Sequence, residues 1–200
     1  KRQNGEYIAF QDDDDLMPAD RIKALYAALQ SFPKAVFAAG RYEEVTQNSE
    51  SSGRKSLYKL KASNNHLPIL IEEGYKAVLW PLITVTSHNT LFKTDIARKI
   101  GFFDERFTHG CEDTDFFARL ALEGPIVCLP KVVSHVRRNP GSLTGDYRKM
   151  YESKLILLEK HIMLSGRKDN VLKKRLRKRL YYFYKTILSD SDRLLSKSLL

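Results

Sequence analysis

The chain has 200 residues, 42% of them apolar, and its 34 Lys and Arg against 24 Asp and Glu leave a formal charge of +10. This is enough chain and apolar content to bury a core in one medium domain with an appendage. Two isolated cysteines, Cys111 and Cys128, rule out a disulfide framework and point to reduced thiols in the cytoplasm, and the longest apolar run, Ala77 to Val85, falls far short of the roughly 20 residues a membrane span needs.

Taken in order, Glu6 to Phe10 reads as a strand that ends in four consecutive carboxylates, Asp12 to Asp15. A helix follows from Pro18 to about Phe32, with Ile22, Leu25 and Leu29 on one side and Pro18 suited to a first turn. Ala35 to Val45 reads as a strand, residues 46 to 66 as a polar loop, and Leu67 to Tyr75 as a helix leading to Trp80, whose indole is core by default. The segment from Gly110 to Leu120 carries a second acidic group, Glu112, Asp113 and Asp115, at the start of a short helix with Phe116, Phe117 and Leu120 as its apolar stripe. There is no internal repeat, low-complexity segment or visible signal peptide.

Carboxylates at the C-terminal end of a buried strand sit where open α/β sheets bind ligands, and oxygen-only donors suit Mg²⁺ or Mn²⁺. Four like charges in a row repel one another, so a cation or a ring of backbone donors has to offset some of them. A solvated turn capping the next helix is the alternative. Glu112 and Asp113 have the same two readings: helix-capping acids, or a group placed to take a proton from a substrate hydroxyl. Cys111, beside them, reads as a packing residue rather than a reactive thiol.

Together, GEYIAFQDDDD with Pro18, TSHNTLFKTDIARKIGFFDERF at residues 86 to 107, GCEDTDFFARL, and RRNPGSLT at residues 137 to 144 resemble a family 2 glycosyltransferase of the GT-A type. The resemblance implies an α/β fold, a partial GT-A, Rossmann-like domain over residues 1 to 145 with a helical, basic extension over 146 to 200. It identifies the chain as the C-terminal portion of such an enzyme, lacking the N-terminal nucleotide-binding half. It also implies transfer of a sugar, with inversion, from a nucleotide-diphosphate sugar to a saccharide or lipid-linked acceptor. Asp12 and Asp14 match the two acids that contact the donor and the Mn²⁺ or Mg²⁺, and Asp113 matches the catalytic base. Arg137, Arg138 and Ser142 lie in the segment that closes over the diphosphate. Ser87 to Phe92 resembles the family strand that lines the acceptor pocket, and Glu112, with Ser87, His88 and Asn89, is expected on the acceptor side. Many relatives place a metal-binding His where this chain has Asn139, which leaves His135, four residues earlier, as the third ligand or as a structural strand residue.

From Arg167 to Lys185 nine basic residues face one acid, Asp169. Leu172, Leu176, Leu180, Phe183 and Ile187 recur at helical spacing, and Tyr181, Tyr182 and Tyr184 are rings of the kind favoured at a membrane interface. This segment is expected to lie on an anionic membrane, which makes the protein cytoplasmic and peripheral at the inner face of the membrane; a helix packed on its own domain is the alternative. Two rival functions remain. A haloacid dehalogenase-type phosphohydrolase is disfavoured by Leu16 where Thr or Val would follow D-x-D. A non-catalytic basic module leaves both acidic groups unexplained, and they would repel nucleic acid. Surface polysaccharide or lipopolysaccharide synthesis is the expected setting.

Overall fold

The structure, a computed structural model, describes residues 4–46, 50–55, 67–80, 82–137, 149–165 and 169–198. It divides into two compact units, one formed by Lys1–Asp104 with Asp113–Ser142 and the other by Glu105–Glu112 with Leu143–Leu200. The first runs β1 (Tyr7–Ile8), α1 (Arg21–Ser31), β2 (Phe37–Val45), β3 (Ser51–Lys55), β4 (Ile69–Ile71), α2 (Gly74–Leu79), a 3₁₀ turn (Ser87–Asn89), β5 (Thr90–Lys93), α3 (Thr94–Lys99), α4 (Glu112–Leu120) and β6 (Ile126–Arg137). The strands form one mixed sheet in the order β1-β5-β2-β6-β4, with β3 also paired to β2. Among the described residues β2 and β6 pair in parallel and the other pairs are antiparallel.

Side-chain alternation decides what covers each face. Phe37 stands opposite Phe92 and Ala38 opposite Leu91 in the β2–β5 ladder, and neighbouring residues of a strand point to opposite faces. Ala38 and Leu91 therefore join Leu25, Ala28 and Leu29 of α1, with Val127, Leu129 and Val133 of β6, in one buried cluster. Phe37 and Phe92 meet α4 on the other face, with ring centroids 5.2 Å apart for both Phe37–Phe117 and Phe92–Phe116. Edge-to-face rings at this distance are the preferred aromatic geometry. Gly40 of β2 packs against β6, and a Cβ there would stand 2.5 Å from the Val133 side chain.

Several elements differ from the sequence reading. The stretch read as one helix from Leu67 to Tyr75 is the strand β4 followed by α2, because Ile69, Leu70 and Ile71 pair with β6. Short apolar runs do not distinguish strand from helix by period. Part of the polar loop between 46 and 66 is β3. The strand expected from Ser87 begins only at Thr90, after the 3₁₀ turn. Ile22 of α1 is 41% exposed, and the neighbouring Arg21 is buried in its stead.

The second unit contains α5 (Lys149–Leu164) and α6 (Asn170–Ser198). The Phe183 ring meets Tyr151 at 5.2 Å, and the Tyr184 hydroxyl donates to Glu159 at 3.1 Å. Asp169 caps α6 by accepting the Leu172 N–H at 2.9 Å. Leu157, Leu158, Leu172 and Leu176 are buried, while Leu180 and Phe183 are half-buried. The apolar stripe that the sequence offered to a membrane is thus largely spent within the protein.

Candidate active site

The acidic loop is fastened at both ends. Beyond β1 the turn closes with the Asp15 N–H on the Asp12 carbonyl at 3.3 Å, and Leu16 then exchanges two backbone hydrogen bonds with His135 of β6, at 2.9 and 3.0 Å. Asp15 Oδ1 accepts the Arg137 N–H at 3.0 Å, and Arg137 Nη1 donates to the Asp14 carbonyl at 3.3 Å. The four aspartates are consequently not equivalent. Asp13 and Asp14 are exposed, the Asp12 side chain is 53% exposed and the Asp15 side chain only 3%. Burial, and then repulsion from Asp14 and Asp13, raises the Asp12 carboxyl above its ordinary value, and Arg21 offsets part of this. Burial raises Asp15 too, against the lowering effect of the Arg137 amide.

His88 faces this loop from the 3₁₀ turn. Asn89, fully buried, holds the turn: its Nδ2 donates to the carbonyls of Gly40 at 2.7 Å and Thr84 at 3.0 Å, and its Oδ1 accepts from the Thr86 N–H at 2.9 Å and the Thr86 hydroxyl at 3.1 Å. The hydroxyl proton of Thr86 is thereby assigned, so its oxygen accepts from His88 Nε2, 3.0 Å away. That tautomer turns Nδ1 towards the carboxylates, 3.7 Å from Asp12 Oδ2 and 3.9 Å from Asp15 Oδ2. Tyr42 sets its ring against His88 at 5.0 Å. An imidazole lone pair aimed at two carboxylates repels them unless a proton on Nδ1 or a metal ion lies between. Asp12, Asp15 and His88 each offer one ligand atom within 4.8 Å of the others. Two carboxylate oxygens and one nitrogen oriented through its other ring atom fit a divalent cation, and the nitrogen suits Mn²⁺ better than Mg²⁺.

The second acidic group reaches the same turn. Gly110 and Cys111, with φ of 89° and 70°, lead into α4, and Asp113 Oδ2 accepts the Ser87 N–H at 3.0 Å. Ser87 and His88, adjacent in sequence, therefore engage Asp113 and the Asp12–Asp15 pair respectively. Asp115 plays another part. It is fully buried and paired with Arg119 at 2.8 Å, and Arg119 also donates to the carbonyls of Ile100 and Phe102. Glu112 is half-buried at the start of α4. Burial raises the Cys111 thiol, which suits packing rather than nucleophilic chemistry.

Measured against the sequence reading, Asp12 and Asp113 face one turn, but two of the expected metal ligands do not gather there. The Asp14 carboxylate is exposed and the residue meets Arg137 through its carbonyl. His135 stands in register with Glu43, its Nδ1 3.9 Å from that carboxylate, and anchors the loop by its backbone alone. The side chains that lie beside Asp12 are those of Asp15 and His88. The side chain of Asn89, expected on the acceptor side, is spent on the turn. Arg138, Asn139 and Ser142 lie outside the described residues. The sequence reading missed Asp15, Thr86, Tyr42, Gln11 and Arg21; of these only Asp15, the last of the four aspartates, stood in plain view.

The sheet matches solved GT-A-type structures. The chain is similar to the Staphylococcus aureus protein TarS, residues 1–349, in complex with UDP-GlcNAc, at 16% identity and a TM-score of 0.58, covering 91% of this chain and 48% of that one. TarS 1–349 in a second structure matches at 15% identity and a TM-score of 0.55, covering 92% and 47%. The chain thus spans about half the length of these solved relatives, and at such identity the likeness is one of fold. No curated protein sequence matches. The family model described as glycosyltransferase like family 2 matches residues 1–186, and the chain belongs to that family.

Proposed function

For this member of the glycosyltransferase like family 2 we propose transfer of a sugar, with inversion, from a nucleotide-diphosphate sugar to a hydroxyl of a saccharide or lipid-linked acceptor. The observation that carries the reading is the 3₁₀ turn, whose Ser87 and His88 hold the base candidate and the cation ligands beside one another. A donor of this class is supported by the UDP-GlcNAc bound to the similar TarS fold. Family membership argues against the phosphohydrolase and the non-catalytic module.

In this reading Asp113 takes the proton of the attacking hydroxyl as the new bond forms at the anomeric carbon. The Ser87 N–H fixes one of its oxygens and so the direction of the carboxylate. Asp12 and Asp14 meet the donor, and Arg137, tied to the loop through Asp14 and Asp15, places a cation where the diphosphate departs. Mn²⁺ or Mg²⁺ held by Asp12, Asp15 and His88 would stabilise the charge of the leaving diphosphate. Inversion follows from one base on the face opposite the leaving group, and no second carboxylate is needed as a nucleophile.

The basic helix sets the place of work. Lys174, Arg175, Arg177, Lys178, Arg179 and Lys185 of α6 are exposed, as are Tyr181 and Tyr182 at 56% each. Their charge draws the protein to an anionic membrane surface, but with Leu172 and Leu176 buried the attraction is electrostatic rather than insertive. No helix among the described residues is long and apolar enough to cross a membrane. A lipid-linked acceptor in surface polysaccharide synthesis fits such a position. The test is a panel of nucleotide sugars and phosphate esters with Mn²⁺ or with chelator. Metal-dependent release of nucleoside diphosphate is expected; hydrolysis of phosphate esters alone would overturn the assignment.

A further inference from the structure

Arg21 is fully buried, and the reaction proposed above makes no use of it. A buried guanidinium is held by the donors it engages, and here the two terminal nitrogens are engaged while Nε has no hydrogen-bond partner. Arg21 Nη1 donates to Gln11 Oε1 at 2.7 Å, and Nη2 donates to the Phe10 carbonyl at 2.7 Å and, less closely, to the Thr90 carbonyl at 3.4 Å. Gln11, its oxygen held by Arg21, presents Nε2 to the carbonyls of Asp12 at 2.9 Å and Asp15 at 3.1 Å. Those two carbonyls bracket the run of four aspartates. Thr90 opens β5 directly after the turn that carries His88.

One side chain therefore grips the backbone beyond β1 at Phe10, both ends of the acidic turn through Gln11, and the strand behind His88. The planar fork matters, since two separate nitrogens reach acceptors in different directions, which a single ammonium cannot reproduce. Burial disfavours the charged guanidinium, and attraction to Asp12 and Asp15 offsets part of that.

We propose that Arg21 and Gln11 are a positioning relay that sets the acidic turn and the His88 turn in register before any cation or donor arrives. The relay's effect on metal binding rests on the reading that Asp12, Asp15 and His88 hold a divalent ion; its effect on the loop does not. Groups behind the ligands that fix their orientation affect affinity without touching the metal.

Gln11→Leu tests the relay, because Gln11 is exposed and its loss leaves the buried guanidinium with its backbone acceptors. Three quantities are measured on the full chain: Mn²⁺ affinity by EPR titration without donor, hydrogen exchange of the metal-free segment 10–17, and Tm. We expect Mn²⁺ binding to weaken about 10- to 100-fold. Exchange in that segment should quicken several-fold and Tm should stay near that of the unsubstituted chain. Arg21→Lys, which keeps the charge and loses the fork, should quicken the same segment. Unchanged exchange there in Gln11→Leu overturns the relay, and so does faster exchange spread over the whole sheet with a lower Tm. If the unsubstituted chain binds no Mn²⁺, the metal assignment fails, and the exchange data still decide the relay.

Discussion

The acidic loop and the basic helix α6 both concentrate charge of one sign, but they treat it in opposite ways. Around Asp12 to Asp15, Gln11, braced by Arg21, and Arg137 hold the carbonyls of Asp12, Asp14 and Asp15 and the Asp15 carboxylate. On α6 Lys174, Arg177, Lys178 and Lys185 are exposed, with Lys178 and Lys185 resting on Tyr182 and Tyr181 at 5.8 and 5.4 Å. Fixed charge at a half-buried site costs stability and gains direction; solvated charge costs little and acts only by its sum. The first arrangement is suited to one ligand geometry, the second to a surface.

The comparison breaks first at Asp113. If that carboxylate is the base, Asp113→Asn should lower the transfer rate about 10²- to 10⁴-fold while the donor KM changes little. A variant that turns over normally would make Asp113 a cap for the Ser87 amide and nothing more. Asp115, two residues along, supplies the contrast within one helix. Arg119→Met removes the cation paired with the buried Asp115 carboxylate, so it should cost about 3–5 kcal/mol in denaturant unfolding, and its catalytic effect should follow from lost fold. Sequence alone ranked these acids by motif; burial separates them by role.

Asp12 sharpens the contrast through pH. Its carboxyl is raised in the folded state by burial and by its acidic neighbours, so the folded chain holds that proton more tightly than the unfolded chain. The corresponding stability is present at pH below the ordinary carboxylate value and is lost as pH rises through the raised folded value. Asp12→Asn removes that loss. Without metal the variant should melt above the unsubstituted chain at neutral pH, and the two should converge in acid. Mn²⁺ at a hundredfold over Kd should stabilise the unsubstituted chain by about 2.7 kcal/mol and the variant by much less. Equal Mn²⁺ shifts in both would remove Asp12 from the site.

What the sequence disclosed divides along similar lines. Strong local patterns survived: the strand into the acidic run, the helix after Pro18, the helix carrying Phe116 and Phe117, and the basic helix. What it hid depends on contacts far apart in the chain. His88 faces Asp12 and Asp15 because Thr86 and Asn89 orient its ring, and His135 stands apart from them because β6 sets it against Glu43. Arg21 was invisible for the same reason. Its neighbour Ile22 fits the apolar stripe, and only the carbonyls of Phe10 and Thr90 explain why the charged residue lies inside.

The smallest effects belong to α6 and test whether its charge acts as a sum. Lys174, Arg177 and Lys178 are exposed, so their replacement by Gln should leave stability within about 0.5 kcal/mol. Binding to vesicles containing anionic lipid should weaken by about 1 kcal/mol for each cation near the surface, and added salt should weaken it further as the Debye length shortens. Leu176→Ser separates the two faces of the helix. Leu176 is fully buried, so this change should lower Tm and leave the binding of the folded protein to vesicles nearly intact. Vesicle binding that ignores salt and the three cations but fails with Leu176→Ser would mean that the apolar stripe leaves its own unit to enter the lipid. That outcome would reverse the contrast, making α6 an inserting element whose buried leucines, not its charges, decide where the protein works.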